Sequence, residues 1–114
     1  YGSFRDIQRH RHGATRMPLV TTRHGFEPWY LSQLPVDVRD AAEGLLAEQT
    51  AAIAALDCAP ETKQYYTALG FRVVCDYAWG LPAAVYVAEI RSGVTVHPTL
   101  RRIARALGDA LAAA

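Results

Sequence analysis

Long hydrophobic runs are missing from this sequence of 114 residues. No apolar stretch approaches the length of a bilayer span, and there is no succession of charged, apolar and small-residue regions of the kind found in signal peptides. A soluble cytoplasmic protein is therefore the default expectation. Cysteine is scarce: Cys58 and Cys75 lack a close pairing motif and lie in apolar or mixed surroundings. Such a pair suits reduced thiols better than a disulfide framework, and neither has the setting of a nucleophile. Lysine is nearly absent, with Lys63 standing against eleven arginines. That bias accompanies abundant alanine and follows composition more than any need for bidentate phosphate recognition. Glycine-rich phosphate loops, nucleophile elbows and paired-carboxylate motifs are also missing. His10, His12 and His24 have no cysteine or carboxylate partner at ligand spacing, so no metal site is expected.

About half of the residues (51%) are apolar, enough for one core but not two. Residues 1–114 thus read as a single domain or as the C-terminal fragment of one. The net charge is only +1 but is unevenly spread. Residues 1–26 hold five arginines, three histidines and one acid, whereas residues 35–62 hold six acids and Arg39. A local anion site fits this pattern better than a nucleic-acid surface, and neither nucleic acid nor membrane is an expected partner.

The periodicity predicts a predominantly helical α+β chain with one or two short strands. Ser3 as a cap would start a first helix, with Phe4, Ile7 and Arg11 on one stripe and Arg5, Gln8, Arg9 and His12 on the neighbouring face. Gly13 breaks that pattern, and Met17 to Thr22 reads as a loop with an extended segment, held to a sheet edge by Pro18. Gly25 to Tyr30 is a turn-rich aromatic connector. Val38, Ala42, Leu45, Leu46, Ala52, Ile53 and Leu56 keep a helical period from Pro35 to Leu56. Glu61 to Leu69 is a shorter helix stopped by Gly70, and Phe71 to Trp79 reads as the best strand, with Arg72 near its start. Pro82 to Ile90 is apolar nearly all round, as in a buried helix with Gly93 as its stop. A last helix from Pro98 buries Leu100, Ile103, Leu107 and Leu111. His97 before it suits a capping or packing role.

Arg9-His10-Arg11 concentrates two guanidinium groups around an imidazole, a compact surface suited to phosphate. Its plain alternative is a solvated basic helix face, on which Arg5 and Arg9 repel at i,i+4. The run Phe4-Arg5-Asp6-Ile7-Gln8-Arg9-His10-Arg11 resembles the segment carrying the Arg-His-Arg signature of the flavin-dependent thymidylate synthases. Gly70-Phe71-Arg72-Val73-Val74 resembles a later family stretch. Glu89-Ile90-Arg91 followed by Leu100-Arg101-Arg102 reproduces the spacing of the two C-terminal arginine motifs. The similarity runs from about Phe4 to Leu107 and covers the later part of a family domain.

The resemblance implies the later part of that family's fold and a methylation of dUMP to dTMP. Methylenetetrahydrofolate would be the methylene donor, reduced FAD the hydride source and NADPH the reductant of the flavin. It also implies a homotetramer with active sites between subunits, and an upstream domain of the same parent chain. Carried over, Arg9 and Arg11 would contact flavin and nucleotide, His10 flavin, and Arg72 the nucleotide. Arg91 would be the catalytic arginine that activates uracil by favouring ionisation at N3. Arg101 falls at the arginine of the terminal motif, where Thr99 replaces a glutamate; on residues alone it is a solvated helix position.

Several positions depart from the family pattern. The signature serine and glutamate fall at Leu19 and Met17, neither of which can do the original polar work. A two-residue insertion would instead align Thr21 and Arg23 with the family's hydroxyl and arginine, making both substrate-binding candidates. Gly80 and Tyr86 stand where asparagines near flavin are expected, and Pro82 where an arginine is. These losses support a rival expectation: a catalytically silent relative that binds a nucleotide or mediates oligomerisation. A plain helical packing domain is a third.

Overall fold

A computed structural model describes all residues 1–114, as helices with one small antiparallel sheet. The chain forms two compact units. One comprises Tyr1 and residues 17–74; the other comprises residues 2–16 and 75–114. No helix is long and apolar enough to cross a membrane.

The second unit contains α1 (Gly2–Ile7), β1 (Gly13–Arg16), β2 (Asp76–Trp79), α5 (Leu81–Arg91) and α6 (Pro98–Ala112). β1 pairs antiparallel with β2, with Gly13 opposite Trp79 and Arg16 opposite Asp76. Gly13 belongs there for a steric reason: a β-carbon would collide with the Ala78 carbonyl and the Trp79 indole. Pro at the first turn starts both α5 and α6. Ala84, Val87 and Ala88 of α5 are buried together with Leu100 and Ala104 of α6. Small side chains let the two helices approach closely: a β-carbon placed on Gly108 would lie 3.8 Å from that of Ala88. His97 caps α6 by accepting from the Thr99 backbone N–H, the capping role expected for it.

The first unit contains α2 (Pro28–Ser32), α3 (Val36–Ala55) and α4 (Pro60–Lys63), which continues into a 3₁₀ turn, Gln64–Tyr66. Phe71, 3% exposed, is its most buried side chain. It meets Phe26 edge-on at 5.3 Å and forms an isolated bridge with it. Gly70 passes so close beneath the Phe26 ring that a β-carbon there would collide with it. Glu27 is buried at the N-cap of α2, accepting from the Trp29 N–H. Arg39 donates to the Leu31 and Leu34 carbonyls, and Lys63 Nζ to the Ala54 carbonyl, so cations satisfy the ends of α2 and α3.

The long helices lie where periodicity puts them; the short elements differ. Ser3 lies within α1 and does not cap it, since the helix begins at Gly2. α1 also ends at Ile7, so Arg9, His10 and Arg11 lie beyond it and no helical stripe reaches Arg11. The cause is visible at Asp6. Its carbonyl accepts from Arg91 Nη2, while the His10 N–H closes a tighter turn onto Ile7. Residues 17–22 form no strand; the strand of that region is β1. Only Asp76–Trp79 of the predicted Phe71–Trp79 strand is a strand, because Phe71 pairs in isolation with Phe26 and the intervening residues have no ladder partner. The predicted Glu61–Leu69 helix is reduced to α4 and its 3₁₀ turn. α5 is not buried all round: Leu81, Val85, Tyr86 and Ile90 are 39–65% exposed. On α6, Ile103 is 46% exposed and Ala104 takes the buried place instead.

Candidate functional site

The second unit brings the Arg-His-Arg segment to the C-terminal end of α5. Arg91, in the last turn of that helix, donates from Nε to His10 Nε2 at 3.0 Å and from Nη2 to the Asp6 carbonyl at 3.3 Å. An arginine at this place commonly satisfies its own helix's terminal carbonyls. Here it turns to α1 and the loop after it, bridging more than eighty residues of sequence. The His10 ring also stands edge-on to Tyr86 of α5, with centroids 6.0 Å apart. Burial holds the His10 imidazole below its ordinary pKa, and the charges of Arg91 and His12 push the same way. His10 is therefore a neutral acceptor at neutral pH. Arg9 and Arg11, on either side of it, are exposed.

Arg91 also borders a cavity of about 240 Å³ whose other walls include Ile7, Tyr77, Trp79, Val87 and Leu100. Tyr77 and Trp79, two residues apart on β2, project to one face and stack at 4.7 Å. Burial pushes the Tyr77 phenol well above its ordinary range, with the Cys75 thiol adding to the effect. Tyr77 Oη and Trp79 Nε1 are both buried without a partner at normal hydrogen-bond geometry. Both cysteines are free thiols.

Arg72, Thr21 and Arg23 belong to the first unit. The Gly25 N–H closes a turn onto the Thr22 carbonyl, with Gly25 at φ +73°. The Arg72 N–H donates to the Gly25 carbonyl at 3.0 Å, and its guanidinium reaches to 3.3 Å from where a Gly25 β-carbon would be. Arg23 Nε donates to His24 Nε2 at 3.1 Å. The side chains of Thr21, Arg23 and Arg72 are exposed, so this unit presents a hydroxyl and two guanidinium groups around one turn. At the expected serine and glutamate positions, Leu19 is 44% exposed and Met17 is half-buried. Arg101 shares a shallow groove on α6 with Arg102 and Arg105. Sequence reasoning missed the unpartnered pair Tyr77 and Trp79. Two large aromatics at alternate positions of a strand were the available signal.

No family model matches the chain. A stretch of 107 residues is 34% identical to UPF0159 protein Ta1429 of Thermoplasma acidophilum, covering 91% of this chain and 21% of that protein. No solved structure matches. The chain thus spans about a fifth of the length of the curated relative it resembles.

Proposed function

We propose that this chain is part of a flavin-dependent thymidylate synthase-like protein and that it binds dUMP, with Arg91 as the residue acting on the pyrimidine. The observation that carries the reading is the union of two motifs of the resemblance: Arg91 is hydrogen-bonded to the histidine of Arg9-His10-Arg11. Both acceptors that hold Arg91, an imidazole nitrogen and a backbone carbonyl, are uncharged, so the guanidinium keeps its full charge for a ligand. A cation beside uracil stabilises the ring ionised at N3 and so eases that ionisation. On the unit that holds Arg91, Arg9 and Arg11 supply exposed donors for phosphate oxygens in this reading; the other unit carries its own exposed donors, Thr21, Arg23 and Arg72.

FAD fits this chain only in part. Arg9 and Arg11 are exposed donors suited to a pyrophosphate, and His10 lies between them. The cavity beside Arg91, at about 240 Å³, falls below the roughly 300–1,000 Å³ usual for small-molecule sites and is too small for a dinucleotide. The remainder of a flavin site would come from other parts of the protein or from other subunits of a homo-oligomer. When bound, FAD would supply the hydride that completes the methyl group, with methylenetetrahydrofolate and NADPH as co-substrates. Val36, Tyr65, Leu81 and Val94, each at least 65% exposed, offer apolar surface to such subunits.

A second reading is favoured by Leu19 and Met17: a relative that binds the nucleotide without turning it over. Thermal unfolding of the chain with and without dUMP, for the parent and Arg91→Ala, tests the common part of both. Ligand at a hundred times its dissociation constant adds about 2.7 kcal/mol of stability, which Arg91→Ala should remove. No stabilisation of the parent chain would defeat nucleotide binding by this chain. Turnover of dUMP by the full-length protein then separates the enzyme from the silent relative.

A further inference from the structure

We propose that His10 is the positioning residue for Arg91, holding the guanidinium through Nε so that its Nη edge is presented to the ligand. The inference rests on the nucleotide reading above and gives His10 a task that the resemblance, which assigns it to flavin, does not.

The geometry is specific. Arg91 Nε can only donate, so at 3.0 Å His10 Nε2 must be the accepting lone pair and the ring proton must sit on Nδ1. The Asp6 carbonyl takes one Nη2 hydrogen, which fixes the plane of the guanidinium at two points and leaves Nη1 for a ligand. The Tyr86 ring packs edge-on against the imidazole and helps to hold its tilt. The charges that act on His10 are both cationic, Arg91 from α5 and His12 on its own segment, and the ring beside it, Tyr86 of α5, is uncharged. Protonation of His10 would replace the acceptor with a second donor and place two cations in contact. Arg91 would then lose its anchor.

The test compares the chain with His10→Ala and His10→Gln. Glutamine Oε1 can accept from Arg91 Nε at nearly the same reach, and it does not titrate. Calorimetric titration with dUMP should show affinity lowered about tenfold in His10→Ala and kept within about threefold in His10→Gln. Between pH 7.5 and about pH 5.5, the parent should lose affinity more steeply than His10→Gln. The phosphate's own ionisation is common to both proteins and cancels in that comparison. Unchanged affinity in His10→Ala, or equal pH profiles for the parent and His10→Gln, would overturn the proposal. Nitrogen NMR of the ligand-free chain separates its failure from that of the nucleotide reading. The Nδ1–H tautomer, with an imidazole pKa that rises in Arg91→Ala, supports the clamp even if dUMP does not bind. The Nε2–H tautomer refutes it.

Discussion

Thr99 Oγ1 lies 2.9 Å from Ser3 Oγ, so a buried hydroxyl at the start of α6 joins that helix to α1 across almost the whole chain. The same oxygen lies 2.9 Å from His97 Nδ1, the cap of α6. One hydroxyl can donate to the imidazole and accept from the serine at once, which ties the cap and the α1 contact together.

Thr99→Ala removes both bonds, while the longer contact from the residue 99 backbone N–H to His97 Nδ1 can remain. Each lost bond costs about 0.5–1.5 kcal/mol. Urea denaturation should show a lower midpoint with an unchanged m-value. Ser3→Ala, which removes one bond at a half-buried position, should cost less.

Gly13 and Gly93 should respond in opposite ways to alanine. A β-carbon at Gly13 meets the Ala78 carbonyl and the Trp79 ring, so Gly13→Ala must push β1 from β2 and should cost about 1–3 kcal/mol. At Gly93 nothing lies within 4 Å and φ is not positive. Gly93→Ala should leave stability unchanged or raise it by up to about 1 kcal/mol through the unfolded state. Thermal midpoints of the two variants measured side by side check this.

The contrast between these glycines shows what the sequence could and could not convey. α3 and α6 announce themselves because apolar residues recur at helical spacing, α5 because its segment is apolar nearly all round, and proline marks each start. β1 has no such pattern: all four of its residues are exposed, and its place depends on a partner sixty or more residues away. Phe71 to Cys75 has strand-like composition, but only Phe71 finds a bridge partner, so propensity there goes unused. At the site, the identities of Arg91 and His10 were legible through resemblance. Their hydrogen bond was not, since no local pattern signals a contact between a loop after α1 and the end of α5. The early end of α1 has the same origin, because Arg91 takes the Asp6 carbonyl.

His10 should leave a mark on the pH dependence of stability. Its pKa in the folded chain lies below its ordinary value of 6.5, so the unfolded chain binds more protons just below that pH. Stability from this group is complete above 6.5 and is lost as pH falls through the folded pKa. Urea midpoints between about pH 8 and pH 5 should fall on the acid side in the parent and fall less in His10→Gln. Equal slopes would mean that His10 titrates alike in both states.

Arg72→Ala should separate binding from folding. The Arg72 backbone N–H holds the Gly25 carbonyl whatever the side chain, and the exposed guanidinium contributes little to the packing around Phe71. The thermal midpoint without ligand should therefore move little. If Arg72 meets the nucleotide phosphate, losing that charge-assisted bond removes about 1.5–3 kcal/mol of binding, roughly a tenfold loss of dUMP affinity or more. Retained affinity in Arg72→Ala alongside loss in Arg91→Ala would confine the nucleotide site to the unit that holds Arg91. A tenfold loss in Arg72→Ala, with its thermal midpoint unchanged, would make Arg72 a nucleotide contact in its own right.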